Sequence, residues 1–283
     1  MQHSPGAGMS GRTRVIAAAV MAPAAILSVL FLPSHFLAAL VAGVLMLGLW
    51  EWSLLAGLRD RVPRALTLVA NASLMAMLAW GAGAGLFTLK LVSLLGVLWW
   101  LLVLLWLMKF DFASGAAAWM RALKLLAGSL CVIPAWAALS WLHSSQPNGP
   151  RWALFALMIV WAADSGAYFT GVRFGKHKMA PRISPGKSWE GFAGGLVAAC
   201  LLSLVALPLL GLAWDSLPGL MLLTAVTFLF SVAGDLFESL LKRHVGAKDS
   251  GDLIPGHGGI LDRIDGLIAA LPVFALGKAW LGF

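Results

Sequence analysis

The chain has 283 residues, of which 60% are hydrophobic and 11% charged, and its net charge is +8. A soluble domain carries roughly 25% charged residues, and long charge-poor runs recur here from end to end, so a polytopic membrane protein is expected, with no sizeable soluble domain. Runs such as LVSLLGVLWWLLVLLWLM do not alternate polar with apolar residues; this excludes a β-barrel and leaves an all-α bundle whose spans satisfy their own backbone groups.

In chain order, residues 1–14 read as a short cytoplasmic tail ending in Arg12 and Arg14. The apolar run that follows resembles a signal peptide, but the charge layout needs it to stay as a helix. Nine transmembrane helices are expected, at about 15–32, 36–57, 64–80, 88–108, 121–142, 152–172, 192–213, 218–241 and 260–281. The Gly-rich GAGAGLF makes the boundary between the third and fourth ambiguous. With the N-terminus inside, 17 of the 20 Lys and Arg fall on the inner side, leaving Lys90, Arg151 and Lys278 at the outer side. This bias predicts a multi-pass protein of the inner (plasma) membrane whose polar loops face the cytoplasm and meet anionic lipid. No basic reading face for nucleic acid stands out. Cys131 and Cys200 lie inside apolar runs and read as packing residues.

Nine of the twelve carboxylates fall after residue 160. Residues 15–150 therefore read as a transmembrane scaffold and residues 151–283 as the region that carries the chemistry. Asp164 in the sixth helix, Asp235 in the eighth, and Asp262 and Asp265 in the ninth share a depth near the inner side. A carboxylate in a membrane faces a cavity, a partner or a metal. Asp262 and Asp265 are three apart and share a helix face; Asp235, Glu238, Ser239 and Lys242 share another. Carboxylates without a His or Cys cluster point to a hard divalent cation such as Mg²⁺. The structural alternative is a hydrogen-bonded or ion-paired acid, which is the reading preferred for Glu51 in LWEWSLL.

Two inner loops complete the pattern. GVRFGKHKMAPRISPGKSWEG, residues 171–191, carries five cations and is rich in Gly and Pro, as a loop that contacts phosphate would be. Its GKS is not a P-loop, because Pro181 stands where that motif needs glycine. LKRHVGAKDSGDLIPGHGGI, residues 241–260, supplies Lys242, Arg243 and Lys248, and its glycines permit close approach of a ligand to the start of the ninth helix. His257 reads as a local hydrogen-bonding residue rather than a catalytic one. Together the features describe phosphoryl or nucleotidyl transfer between a soluble nucleotide and a lipid.

The run SLLKRHVGAKDSGDLIPGHGGILDRID resembles the signature of phosphatidate cytidylyltransferases, the CDP-diacylglycerol synthases. Ser239, Lys242, Arg243, Lys248, Asp249, His257, Gly258, Gly259, Asp262, Arg263 and Asp265 all match, and ADSGAYFTG and ISPGKSWEG extend the likeness to about 100 residues. The resemblance implies that CTP and phosphatidate give CDP-diacylglycerol and pyrophosphate with Mg²⁺. It implies Asp235, Asp262 and Asp265 as metal ligands, with Lys242 and Arg263 beside them in catalysis. Asp164, Ser184, Lys187, Ser188, Arg243, Lys248, Asp249, His257, Gly258 and Gly259 would bind substrate. A second, monovalent cation and a homodimer are left open. The rival readings are a cation-coupled transporter, whose acids belong nearer the midplane, and another membrane lipid phosphotransferase.

Overall fold

The computed structural model describes residues 11–81, 86–251 and 258–283, with side chains from Met21 onward. Among them lie nine α-helices: α1 (Gly11–Phe31), α2 (Ser34–Leu55), α3 (Arg61–Gly81), α4 (Phe87–Leu107), α5 (Ala118–Ser144), α6 (Gly149–Phe174), α7 (Trp189–Leu209), α8 (Leu217–His244) and α9 (Leu261–Trp280). The helix breaks follow residue chemistry. Pro33, with φ −56° and ψ 146°, separates α1 from α2. Asn148 takes a positive φ before Pro150 in the first turn of α6. The Ser188 hydroxyl accepts the Gly191 amide and caps α7.

Seven of these helices are long and apolar enough to cross a membrane. The expected nine spans and the seven differ at the two ends of the chain. In α1 the described apolar stretch is Met21–Phe31, and α9 carries Asp262, Arg263, Asp265 and Lys278. A second difference lies in the loop before α7, which the sequence left without regular structure. It forms an antiparallel hairpin of β1 (Lys178–Ala180) and β2 (Ser184–Ser188). Glu190 closes the base of this hairpin by accepting the Lys176 and His177 amides and bonding His177 Nδ1 at 2.6 Å.

Despite its charged start, α9 is central: it packs against α2, α4, α5, α6 and α8. Its middle, from Ile268 to Ala275, is buried without interruption. At Gly96 of α4 an added Cβ would collide with Pro134 of α5 and lie 3.2 Å from Pro272 of α9, so three helices meet at one glycine. Around α8, Trp52, Trp100 and Trp106 surround the fully buried Phe237, with ring centroids 5.8, 6.1 and 5.2 Å away. Such ring contacts contribute about 0.5–1.5 kcal/mol each beyond burial. They fix the next residue, Glu238, in the interior. The exposed side chains of α3, α4 and α7 are mostly apolar, including Leu66, Leu94, Leu101, Leu105, Val197 and Leu201, as suits surfaces that face lipid.

Candidate active site

A pocket of about 390 Å³ opens between α6, β2, α7, α8 and α9. Asp164, Lys187, Ser188, Asp235 and Arg263 line it, together with Phe192 and Phe228. Lys187, near the end of β2, reaches Asp235 Oδ2 at 2.6 Å. The hairpin is what brings this cation over α8. Ser239, one turn on, donates to Asp235 Oδ1 at 3.3 Å. Helices α8 and α9 touch backbone to backbone at Gly234, where an added Cβ would collide with the Asp265 carbonyl and lie 2.9 Å from Ala269 Cβ. That approach sets Asp235 and Asp265 on adjoining helices. Asp164, Asp235 and Asp265 lie within electrostatic reach of one another, with Lys187 as their shared cation and Arg263 close to Asp164.

A second charged cluster adjoins the first. The Lys242 ammonium donates to Glu238 Oε2 at 2.7 Å and to Asp262 Oδ1 at 2.6 Å. Asp262 Oδ2 accepts from the Ser250 amide at 3.1 Å, its hydroxyl at 3.0 Å and the Gly259 amide at 2.9 Å. Asp262 thus organises the loop before α9 as well as pairing with Lys242. Glu51 enters from α2, bonding Ser250 Oγ at 3.0 Å and the amides of Ile260 and Leu261 at 3.1 and 2.8 Å. Gly258 takes φ +83°, and a Cβ on Gly259 would strike Ser250 and Glu51. Glu238 is 1% exposed, and its Oε1 has no hydrogen-bond partner.

The structure brings Asp164, Asp235, Asp265, Lys187, Ser188 and Arg263 to one place, with Lys242 and Asp262 beside them. The one-face expectation for Asp262 and Asp265 resolves into two sets of partners. Asp262 goes to Lys242 and the loop, whereas Asp265 Oδ1 accepts the Gly266 amide at 2.7 Å and lies within electrostatic reach of Asp235. Ser184 pairs with Ala180 in the hairpin and is not among the pocket-lining residues. The Arg243 guanidinium donates to the Ile183 and Ala247 carbonyls and so ties the hairpin to the loop after α8. Lys248 and Asp249 are exposed on that loop, and His257 lies outside the described residues. Two residues at the site were not singled out for it by the sequence: Glu51 and Ser250. Glu51 showed itself as a charge in an apolar run, but it is hydrogen-bonded and makes no ion pair among the described residues. Glu238 was visible through its four-residue spacing to Lys242.

Among the described residues, no three His, Cys, Asp or Glu side chains are grouped closely enough to hold a metal by themselves. The carboxylates are all-oxygen donors, which suits a hard cation that takes one or two carboxylates and completes its shell with phosphate and water, as Mg²⁺ does.

The sequence model of the Cytidylyltransferase family matches residues 12–279. The phosphatidate cytidylyltransferase of Pseudomonas aeruginosa is 40% identical over 269 residues, covering 93% of this chain and 95% of that protein. That of Haemophilus influenzae is 39% identical over 282 residues, covering 93% and 97%. That of Bacillus subtilis is 46% identical over 126 residues, 44% of this chain. The matched residues run from the N-terminal helices through both charged clusters, and the chain belongs to the cytidylyltransferase family.

Proposed function

We propose that this protein is a phosphatidate cytidylyltransferase, which joins CTP and phosphatidate to give CDP-diacylglycerol and pyrophosphate. The observation that carries this reading is the pocket in which carboxylates from α6 and α8 meet Lys187 and Arg263, with Asp265 of α9 beside them. The full-length relatives of that name support it. The inner-side bias of the cations supports a bacterial inner membrane with the pocket open to the cytoplasm.

In this reading a phosphatidate oxygen attacks the α-phosphorus of CTP, and the bond to the β-phosphate breaks to release pyrophosphate. The attacking oxygen is already anionic, so the protein needs no nucleophile of its own. Lys187 exchanges its contact with Asp235 for the incoming phosphates, and Arg263 neutralises charge across the pocket. Ser188 and the other hairpin residues, Ser184 included, cover the nucleotide. Arg243, Lys248, Asp249, His257, Gly258 and Gly259 shape the loop that closes on it. Lys242 holds Glu238 and Asp262 in place. Asp235 and Asp265 would hold Mg²⁺, with Asp262 beside them as a further carboxylate donor. The cation supplies charge neutralisation of the triphosphate when bound.

The test uses detergent-purified protein, labelled CTP, phosphatidate and Mg²⁺. CDP-diacylglycerol should form only with the cation. Asp235→Asn should lower kcat by about 100-fold or more, because metal charge stabilisation amounts to several kcal/mol. Folded wild-type protein that yields no CDP-diacylglycerol from CTP or dCTP would overturn the reading.

A further inference from the structure

A second cavity, of about 590 Å³, lies at the same loop-rich end of the bundle and shares no lining residue with the reaction pocket. Its walls come from the turn after α2, the loop between α4 and α5, the first turns of α5 and the end of α8. Arg59, Arg121, Lys124 and His244 line it, against one carboxylate, Asp60. Lys124 is only 2% exposed, yet its ammonium meets no acceptor or carboxylate among the described residues. His244 bonds the Phe110 carbonyl through Nε2 at 2.6 Å, while its buried Nδ1 has no partner.

A buried cation without a counter-charge is costly. The Lys124 carbonyl accepts the Trp52 indole N–H at 2.7 Å, a contact that any side chain at this position would leave in place, so it does not explain the buried ammonium. A buried ammonium without an acceptor and two arginines around one space instead describe a receptor for an anion with several acceptor oxygens. The volume exceeds what a single phosphate needs. We propose that this cavity binds a phosphate group independently of the reaction pocket. The group comes either from an acidic lipid headgroup or from a free phosphate anion, and the chemistry that recognises it is the same.

The test is done on the full chain in detergent, with Lys187→Ala as background to weaken anion binding in the reaction pocket. One arm measures binding of labelled pyrophosphate by equilibrium dialysis. The other measures binding of dihexanoyl phosphatidylglycerol by native mass spectrometry. Saturable binding is expected in at least one arm, and that arm names the source. Adding Lys124→Met should weaken it about tenfold or more, the usual cost of a lost charged hydrogen bond, while leaving thermal unfolding unchanged or raised. If that variant does not fold, the exposed Arg121→Gln carries the same comparison with a smaller loss. No binding in either arm, or binding indifferent to both substitutions, would overturn the proposal. The reaction-pocket assignment is judged separately, by the activity of Lys187→Ala itself.

Discussion

Glu51 sits 199 to 210 positions away from the groups it bonds, Ser250 Oγ and the amides of Ile260 and Leu261. Those amides open α9, where helix geometry leaves N–H groups without intrahelical partners and the dipole favours a negative charge. A single buried acid from α2 therefore caps the helix that carries Asp262 and Asp265. Glu51→Ala leaves buried donors unsatisfied, at about 1–3 kcal/mol each. Thermal unfolding of the purified variant should shift down clearly, and activity should fall with it because Ser250 also holds Asp262. Glu51→Gln keeps an acceptor oxygen and should recover most of the stability. Equal melting of the Ala variant and wild type would show that the cap is dispensable. Such a contact was not legible beforehand. The charge stood out in LWEWSLL, but nothing local names a partner some 200 residues on. Lys242 and Asp262, only 20 apart, could be read together because both fall in one short signature.

At the scale of elements, the spacing of the pocket is set by small residues where helices touch. Gly234 lets α8 lie against the Asp265 backbone of α9, and Gly166 lets α6 approach the Gly194 carbonyl of α7. In both places the obstacles to a side chain are backbone or an alanine Cβ, which cannot rotate aside. Gly234→Ala should push α8 from α9 and widen the gap between Asp235 and Asp265. Overpacking of this kind costs about 1–3 kcal/mol, so the variant should fold less stably and lose kcat more than it changes KM. Gly166→Ala, which parts α6 from α7 farther from α9, should cost stability with a smaller loss of kcat. A Gly234→Ala enzyme with unaltered kcat would remove the spacing argument. Hydropathy placed the helices to within a few residues, because a span must be apolar along its length. It could not place the β1–β2 hairpin. Those strands are three and five residues long, include Pro185 and Gly186, and have an irregular register. Their order comes from Glu190 and from contacts with α8, not from their own pattern.

Across the whole molecule, charge and packing agree on one polar end. The reaction pocket, the second cavity and the loops around Arg182, Arg243 and Asp111 are gathered there, linked by Arg182 to Asp111 at 3.5 Å and His244 to the Phe110 carbonyl. At the opposite end, Trp152 stacks on Phe283 at 5.8 Å between ring centroids, and Lys278 bonds the Phe283 carbonyl at 2.5 Å. The cation bias predicts that the polar end faces the cytoplasm, where a soluble nucleotide is available. Single cysteines can decide this, in a background with Cys131 and Cys200 replaced by alanine. Cysteines at Lys176 and Lys248 should resist a membrane-impermeant maleimide in right-side-out spheroplasts and react once the membrane is opened. Cysteines at Ser145 and Asp215 should react from outside in intact spheroplasts. The reverse pattern would place the pocket outside the cell, away from the nucleotide pool. The proposed reaction would then fail at this scale, even with each side chain placed as described.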